Sequence, residues 1–137
     1  MAGIAGIARA GCTAEVNRML DKLAHRGRAV RVVFETPHTT LGAVAPTIRN
    51  IAVLRDKQLV QDHAEPARCA SAQVADGRLT LWRDPLGVAP LYYGYTAEGT
   101  LCFASEVKAL LDLTHTLHEF PPGADYNGDR ITQHFDL

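Results

Sequence analysis

The pair Asp76-Gly77 stands between two β-type runs, residues 69–75 and 78–83. A two-residue Asp-Gly connection favours a tight hairpin turn whose twist matches that of antiparallel strands. The same grammar recurs on both sides. Short β-type runs at 31–34, 40–44 and 50–54 are separated by Pro37 and Pro46, and runs at 90–95 and 100–104 are joined through Thr96-Ala97-Glu98-Gly99. The middle of this chain is therefore expected to be antiparallel sheet.

Helical spacing appears at two places. After the glycine-rich apolar run at 3–8, expected as a buried strand, Ala10-Gly11-Cys12 turns the chain. Val16, Met19, Leu20 and Leu23 then recur at the spacing of one helix face. Thr13 is expected to cap this helix, with Glu15 in its first turn and Gly27 ending it. Ser105 is expected to cap a second, short helix with Val107, Leu110 and Leu111 on its inner face. The tail from His115 adds one or two weak strands around Pro121-Pro122-Gly123. About two helices and eight or more strands, in the order helix, strands, helix, predict an α+β fold in which helices cover antiparallel sheet. The expected organisation is a single domain over residues 1–137.

Composition narrows the function classes. The chain is 47% apolar and 21% charged, an ordinary globular balance, and its formal net charge of -1 recruits neither nucleic acid nor an anionic membrane. The N-terminus has no basic region followed by an apolar core, and no apolar run approaches the roughly 20 residues of a membrane span. Cys12, Cys69 and Cys102 are odd in number and match no zinc pattern. A reducing, cytoplasmic setting is expected. His115-x-x-His118 lacks a carboxylate or cysteine at matching spacing, so neither a metal nor another cofactor is expected. Asp84-Pro85-Leu86-Gly87 lacks the phosphate-loop pattern and is read as a turn. Trp82, Tyr92 and Tyr93 are read as core-edge residues, and Cys12, which precedes the helix, as a structural thiol.

Three stretches, taken in order, resemble the glutaminase domain of asparagine synthetases. The opening Met1-Ala2-Gly3-Ile4-Ala5-Gly6-Ile7 is similar to the Met-Cys-Gly-Ile-x-Gly-Ile opening of class II glutamine amidotransferases. His25-Arg26-Gly27 follows a helix as in those enzymes. Residues 83–123 carry Arg83-Asp84-Pro85-Leu86-Gly87-Val88-Ala89-Pro90-Leu91-Tyr92-Tyr93-Gly94, then Phe103-Ala104-Ser105-Glu106-Val107-Lys108-Ala109-Leu110, then Phe120-Pro121-Pro122-Gly123. The resemblance implies an N-terminal-nucleophile hydrolase αββα sandwich. It also implies a chemistry in which a terminal cysteine attacks the glutamine amide, its own α-amine acts as base, and an Asn-Gly pair holds the oxyanion. Arg and Asp hold the substrate's carboxylate and amine, and the ammonia passes to an ATP-using synthetase domain.

Against that pattern the chemical positions depart. Ala2 stands at the nucleophile position, and a retained Met1 would block the α-amine. Leu41-Gly42-Ala43-Val44-Ala45 corresponds to the strand that ends in the carboxylate-binding Arg, which puts Ala45 at the anchor. Asp56 and Lys57 stand at the Asn-Gly oxyanion pair, and the segment carrying the amine-binding Asp is missing after Asp62. Gly3, His25, Arg26, Gly27, Arg83, Asp84, Gly87, Pro90, Leu91, Tyr92, Ser105 and Glu106 match the family motifs, with His25 read as a packing or hydrogen-bonding residue. No Ser-Gly-Gly-x-Asp-Ser loop occurs, so no synthetase domain is expected within these residues. The expectation is a catalytically degenerate domain with no substrate-binding residues of the family left. It would associate with itself or with a separate synthetase-type chain. The alternative is a true glutaminase whose cysteine was changed to Ala2 for structure determination. A third reading, an amino-acid binder using the remnant pocket, has lost its anchors.

Overall fold

The structure, a computed structural model, describes residues 2–46, 58–61, 70–75 and 77–134. Along the chain these form β1 (Gly3–Ile7), α1 (Thr13–Asp21), a 3₁₀ turn (Ala24–Arg26), β2 (Val30–Thr36), β3 (Thr39–Ala45), β4 (Gln58–Gln61), β5 (Ala70–Ala75) and β6 (Arg78–Arg83). There follow β7 (Tyr92–Tyr95), β8 (Leu101–Ala104), a second 3₁₀ turn (Val107–Ala109), β9 (His118–Glu119), β10 (Ala124–Tyr126) and β11 (Ile131–Gln133). The strands make two sheets, ordered β2-β3-β1-β8-β7-β9 and β11-β10-β6-β5-β4, and every pairing is antiparallel. The α+β class expected from the strand pattern and the two-sheet sandwich implied by the resemblance are what form, with few helices. Among the described residues no helix is long and apolar enough to cross a membrane.

The apolar opening run is explained by its place. β1 lies inside the first sheet, between β3 and β8, and both its faces are covered. Ile4, Leu41, Phe103, Leu81, Leu91 and Phe120 fill the space between the sheets, while Ile7, Val44 and Cys102 meet Val16, Met19, Leu20 and Leu23 on the helix side. A strand buried on both faces has no polar alternation to display. Gly6 is small because a Cβ there would stand 2.6 Å from the Phe103 ring and 2.7 Å from Leu41. The expected stripe of α1 is the one that is buried.

Several local expectations are corrected. Thr13 is the first helical residue and not the cap. Its hydroxyl donates to Glu35 Oε1 at 2.5 Å on neighbouring β2, and Cys12 takes the cap position without a side-chain capping bond. The helix proper stops at Asp21, and Gly27 ends the 3₁₀ turn that follows. Its φ of 161° is extended backbone, so left-handed freedom is not the reason for a glycine here. The reason is contact. Ser105 does not cap the second helical segment, because its hydroxyl is committed to β1. That segment is a single 3₁₀ turn, too short to carry a helical stripe, and Leu110 is buried while Val107 and Leu111 are exposed. The tail forms three short strands where one or two were expected. Gly77 takes the positive φ (76°) that the hairpin requires. Asp76, Cys69 and the expected strand at 50–54 lie outside the described residues.

Gly27 yields the first prediction. A Cβ on it would come within 2.0 Å of the Ala45 carbonyl carbon and 2.3 Å of Pro46 N, both backbone atoms that cannot swing aside. Gly27→Ala is expected to cost about 2–3 kcal/mol, read as a lower urea midpoint at unchanged denaturant slope.

Candidate functional site

β1 begins at one end of the sandwich, and residue 2 is held there by chemistry from distant parts of the chain. Arg26 Nη1 donates to the Ala2 carbonyl at 3.0 Å, and Arg26 Nε donates to Glu106 Oε2 at 2.5 Å. His25 Nε2 lies 2.6 Å from the same carboxylate oxygen. Lys108 Nζ lies 3.3 Å from His25 Nδ1 and 3.8 Å from Glu106 Oε1. A carboxylate only accepts, so the Nε2–H of His25 donates to Glu106. Burial pushes the Glu106 carboxyl up, but hydrogen bonds from Arg26 and His25 and their charges outweigh it and hold the group below its ordinary value of 4.5.

Ser105, just before Glu106, fixes β1 from the other side. The Ile4 amide donates to Ser105 Oγ at 2.8 Å, and the Ser105 amide donates to the Ile4 carbonyl at 2.9 Å. Gly3 is constrained in turn, since a Cβ there would stand 3.0 Å from Arg26 Cδ. Beside this network lies an open depression of about 420 Å³, lined by Arg26, Pro90, Tyr92, Ser105, Glu106, Val107 and Lys108.

Ala2 and Ala45, which the resemblance sets at the nucleophile and carboxylate-anchor positions, are neighbours in the fold. Gly3 pairs with Val44, so Ala2 lies beside Ala45 at the same end of the sheet. Both are fully buried in the cluster between the sheets. A methyl group offers no lone pair for attack, and Ala45 offers no cation. Asp56 and Lys57 lie outside the described residues.

The longest matched stretch builds architecture. The Arg83 guanidinium is buried and donates to three carbonyls: Ala89 at 2.8 Å, Phe120 at 2.6 Å and Gly87 at 3.0 Å. Asp84 is fully buried, and its carboxylate accepts from the amides of Val88 and Ala89. Gly87 takes a φ of 65° to close this turn. Pro90 and the buried Leu91 follow, and Leu91 takes the Phe120 amide on its carbonyl. With these groups committed, the segment is a turn between sheets, as its sequence suggests. Tyr93 packs between His118, Tyr95 and Phe120 as a core-edge ring, with its ring stacked on His118 at 5.1 Å. Cys12 is buried against Arg9, and burial pushes the Cys102 thiol up to about 11. Neither is a nucleophile poised on a substrate.

Sequence reasoning flagged Arg26 and Glu106 as matching residues, His25 as a packing or hydrogen-bonding residue and Ser105 also as a helix cap. It missed their joint role, and it quoted Lys108 within the matching stretch without giving it one. Their separation of about 80 residues leaves no local signal beyond the alternating charges of Glu106 and Lys108.

With this geometry in view, the comparisons are specific. Residues 72–126 match the family described as "Glutamine amidotransferase domain". The chain is 52% identical over 42 residues to asparagine synthetase B [glutamine-hydrolyzing] of Escherichia coli, covering 31% of this chain and 8% of that protein. It is 49% identical over 41 residues to a probable asparagine synthetase [glutamine-hydrolyzing] of Dictyostelium discoideum, covering 30% and 7%. It is 42% identical over 62 residues to asparagine synthetase [glutamine-hydrolyzing] 1 of Saccharomyces cerevisiae, covering 42% and 11%. The aligned stretches thus span about a tenth or less of these relatives' length.

The ion-pair network gives the second prediction. A carboxyl held below its ordinary value contributes stability above pH 4.5, and that contribution is lost as pH falls through the lowered pKa. Glu106→Gln is expected to cost about 1 kcal/mol at neutral pH. The gap to the parent protein should close below pH 4.5 in urea titrations across pH.

Proposed function

We propose that this chain, which carries a class II glutamine amidotransferase domain of the asparagine synthetase kind, uses that domain as a non-catalytic module that binds a second polypeptide. One observation carries the reading. Ala2 and Ala45 sit side by side, fully buried, where nucleophile and substrate anchor would have to stand. Loss of a nucleophile costs up to about 10⁶ in rate. An arginine at position 45 would bury a charge in an apolar slot, at a cost of several kcal/mol. The frame that presents residue 2 is nonetheless kept, through Arg26 on its carbonyl and Ser105 on Ile4.

The test is glutamine hydrolysis. We expect no ammonia from the protein as it stands and none from Ala2→Cys with Met1 removed, because members of one catalytic unit act together and restoring one recovers little. Turnover in that single variant would instead support the second reading, a true glutaminase whose cysteine had been replaced. The intact frame around residue 2 is the observation that favours it.

The binding half rests on surface chemistry. Leu86 and Val88 are 63% and 57% exposed on the turn that Arg83 and Asp84 build, and Val107 is exposed beside Pro90 and Tyr92 in the depression. Apolar side chains grouped around a charged network are the composition of a contact surface. A second copy of the chain is the simplest partner, and a synthetase-type chain is the other. Light scattering is expected to give twice the monomer mass, or a synthetase-type chain to co-purify. Leu86→Ser with Val88→Ser should abolish the association while leaving the fold intact. A monomer at micromolar concentration that binds no such chain would remove the proposal.

A further inference from the structure

One edge of the first sheet is formed by β2, and among the described residues β3 is its only neighbour strand. With seven residues β2 is longer than the other edge strands, β9, β4 and β11. It carries no proline, no lysine and no bulge against β3, the devices that commonly blunt a sheet edge.

Bonds inside the sheet determine which backbone groups of β2 face outward. The Ser105 amide donates to the Ile4 carbonyl and the Ala8 amide to the Leu101 carbonyl, so the even-numbered residues of β1 turn towards β8. The odd-numbered ones, Gly3, Ala5 and Ile7, turn towards β3 and meet Val44, Gly42 and Thr40. Leu41 and Ala43 of β3 therefore turn the other way, to Phe34 and Val32. Backbone direction alternates along a strand. The N–H and C=O groups of Arg31, Val33 and Glu35 thus point out of the sheet, where such a row is a template for another strand.

The side chains select that strand. Arg31 and Glu35 stand two positions before and two positions after Val33, opposite in charge and both exposed. A second β2 laid antiparallel about Val33 sets Val33 against Val33 and each Arg31 against the other copy's Glu35. These are the residues whose backbone groups point outward, so each such pair exchanges two backbone hydrogen bonds. Between them Val32 meets Phe34, both partly buried against the core of their own chain. A β-branched residue opposite an aromatic one is a favourable cross-strand pair. Centring the pairing on Arg31 or on Glu35 would set like charges opposite each other, which is unfavourable. Within the chain Arg31 already reaches Asp21 at 2.8 Å and Asn17, and Glu35 accepts from Thr13. A guanidinium has five N–H donors and a carboxylate several acceptor sites, so both keep capacity for a partner.

We infer that two copies of this chain associate through β2, paired antiparallel about Val33, so that their first sheets join across a two-fold axis. Leu86 and Val88 lead into β7, near the opposite edge of this sheet, so the contact is separate from the surface proposed above. One strand edge buries less than the roughly 1,200 Å² of a standard interface, and pairing is expected at protein concentrations on the order of 100 µM.

Amide hydrogen exchange followed by NMR at rising protein concentration tests it, with sedimentation giving the mass. In dilute solution the Val32 and Phe34 amides, bonded to β3, are expected to exchange slowly, and those of Arg31, Val33 and Glu35 fast. The second set should become protected as the mass rises. Val33→Pro removes an outward donor and none that β3 uses, so it is expected to abolish this protection and keep the fold. Arg31→Glu and Glu35→Arg each act twice in the symmetric pair and should each weaken it about tenfold. The two together should restore it. Within one chain residues 31 and 35 are about 13 Å apart along the strand, so a rescue reads contact between copies. Fast exchange at Arg31, Val33 and Glu35 at every concentration, or their protection in a protein of monomer mass, would overturn the inference. Pairing that survives Val33→Pro, or a charge-swapped variant no tighter than the single ones, would do the same.

Discussion

A charged side chain taken out of water holds the two sheets together. The Arg83 guanidinium is almost fully buried at the end of β6, in the second sheet. Its three donated bonds reach Gly87, Ala89 and Phe120, along the path that carries the chain to β7 of the first sheet and back towards β10. Burying a cation costs several kcal/mol unless its donors are met. Here they are met by backbone carbonyls, and Glu119 approaches only at 3.7 Å from a largely exposed position. The turn must therefore adopt a shape that presents those carbonyls. Asp84 completes that shape by accepting the Val88 and Ala89 amides, and Gly123 donates to the carbonyls of both Arg83 and Asp84. Leu91 and Phe120 are delivered to the core from this knot.

This division bears on the proposed non-catalytic module, because a chain can resemble an enzyme family through residues that serve the fold. The matched region at 72–126 contains the hairpin, the Arg83 knot and the β7–β8 pair. Those residues satisfy backbone and charge demands internal to the sandwich, and these demands persist whether or not a substrate is ever bound. Ala2 immediately precedes β1 and Ala45 ends β3, next to the backbone pair of Gly3 and Val44. Alanine at both places packs into the inter-sheet core. Fold and chemistry rest on different residues, and likeness in one does not carry the other.

Elements governed by a repeating pattern were legible in the sequence. The α1 stripe, the hairpin turn at Gly77 and the run of short strands follow from periodicity and turn chemistry, their order gives the α+β class, and the sandwich is what the resemblance implies. Features decided by a single distant partner were not. Thr13 has the chemistry of a cap, but Glu35 across the fold takes its hydroxyl. Ser105 has the same chemistry and is drawn instead to the Ile4 backbone. Gly27 reads as a helix stop, yet its smallness serves contact with Ala45. In each case the local rule states what the side chain can do, and the tertiary partner selects among those options. The Arg26–Glu106–His25–Lys108 network is the extreme case, since no spacing along the chain announces it.

That network also separates two meanings of a preserved site. Arg26 touches the carbonyl of residue 2 and not its side chain, so the contact positions backbone whatever stands there. Its second partner, Glu106, is held by His25 and approached by Lys108, which adds charge well beyond what one backbone contact requires. Most of this charge lies towards the depression that Val107 and Tyr92 also line, near the exposed Leu86 and Val88. A buried strand end needs the inner half of the arrangement, the bond from Arg26 to the Ala2 carbonyl. The outer half, with its lysine and histidine open to solvent, contributes little to folding, since exposed ion pairs are worth about 0–1 kcal/mol. Charge grouped with apolar side chains on one surface gives direction to an encounter and fixes its register. The inner contact therefore accounts for the frame, and the outer charges fit the contact surface proposed above.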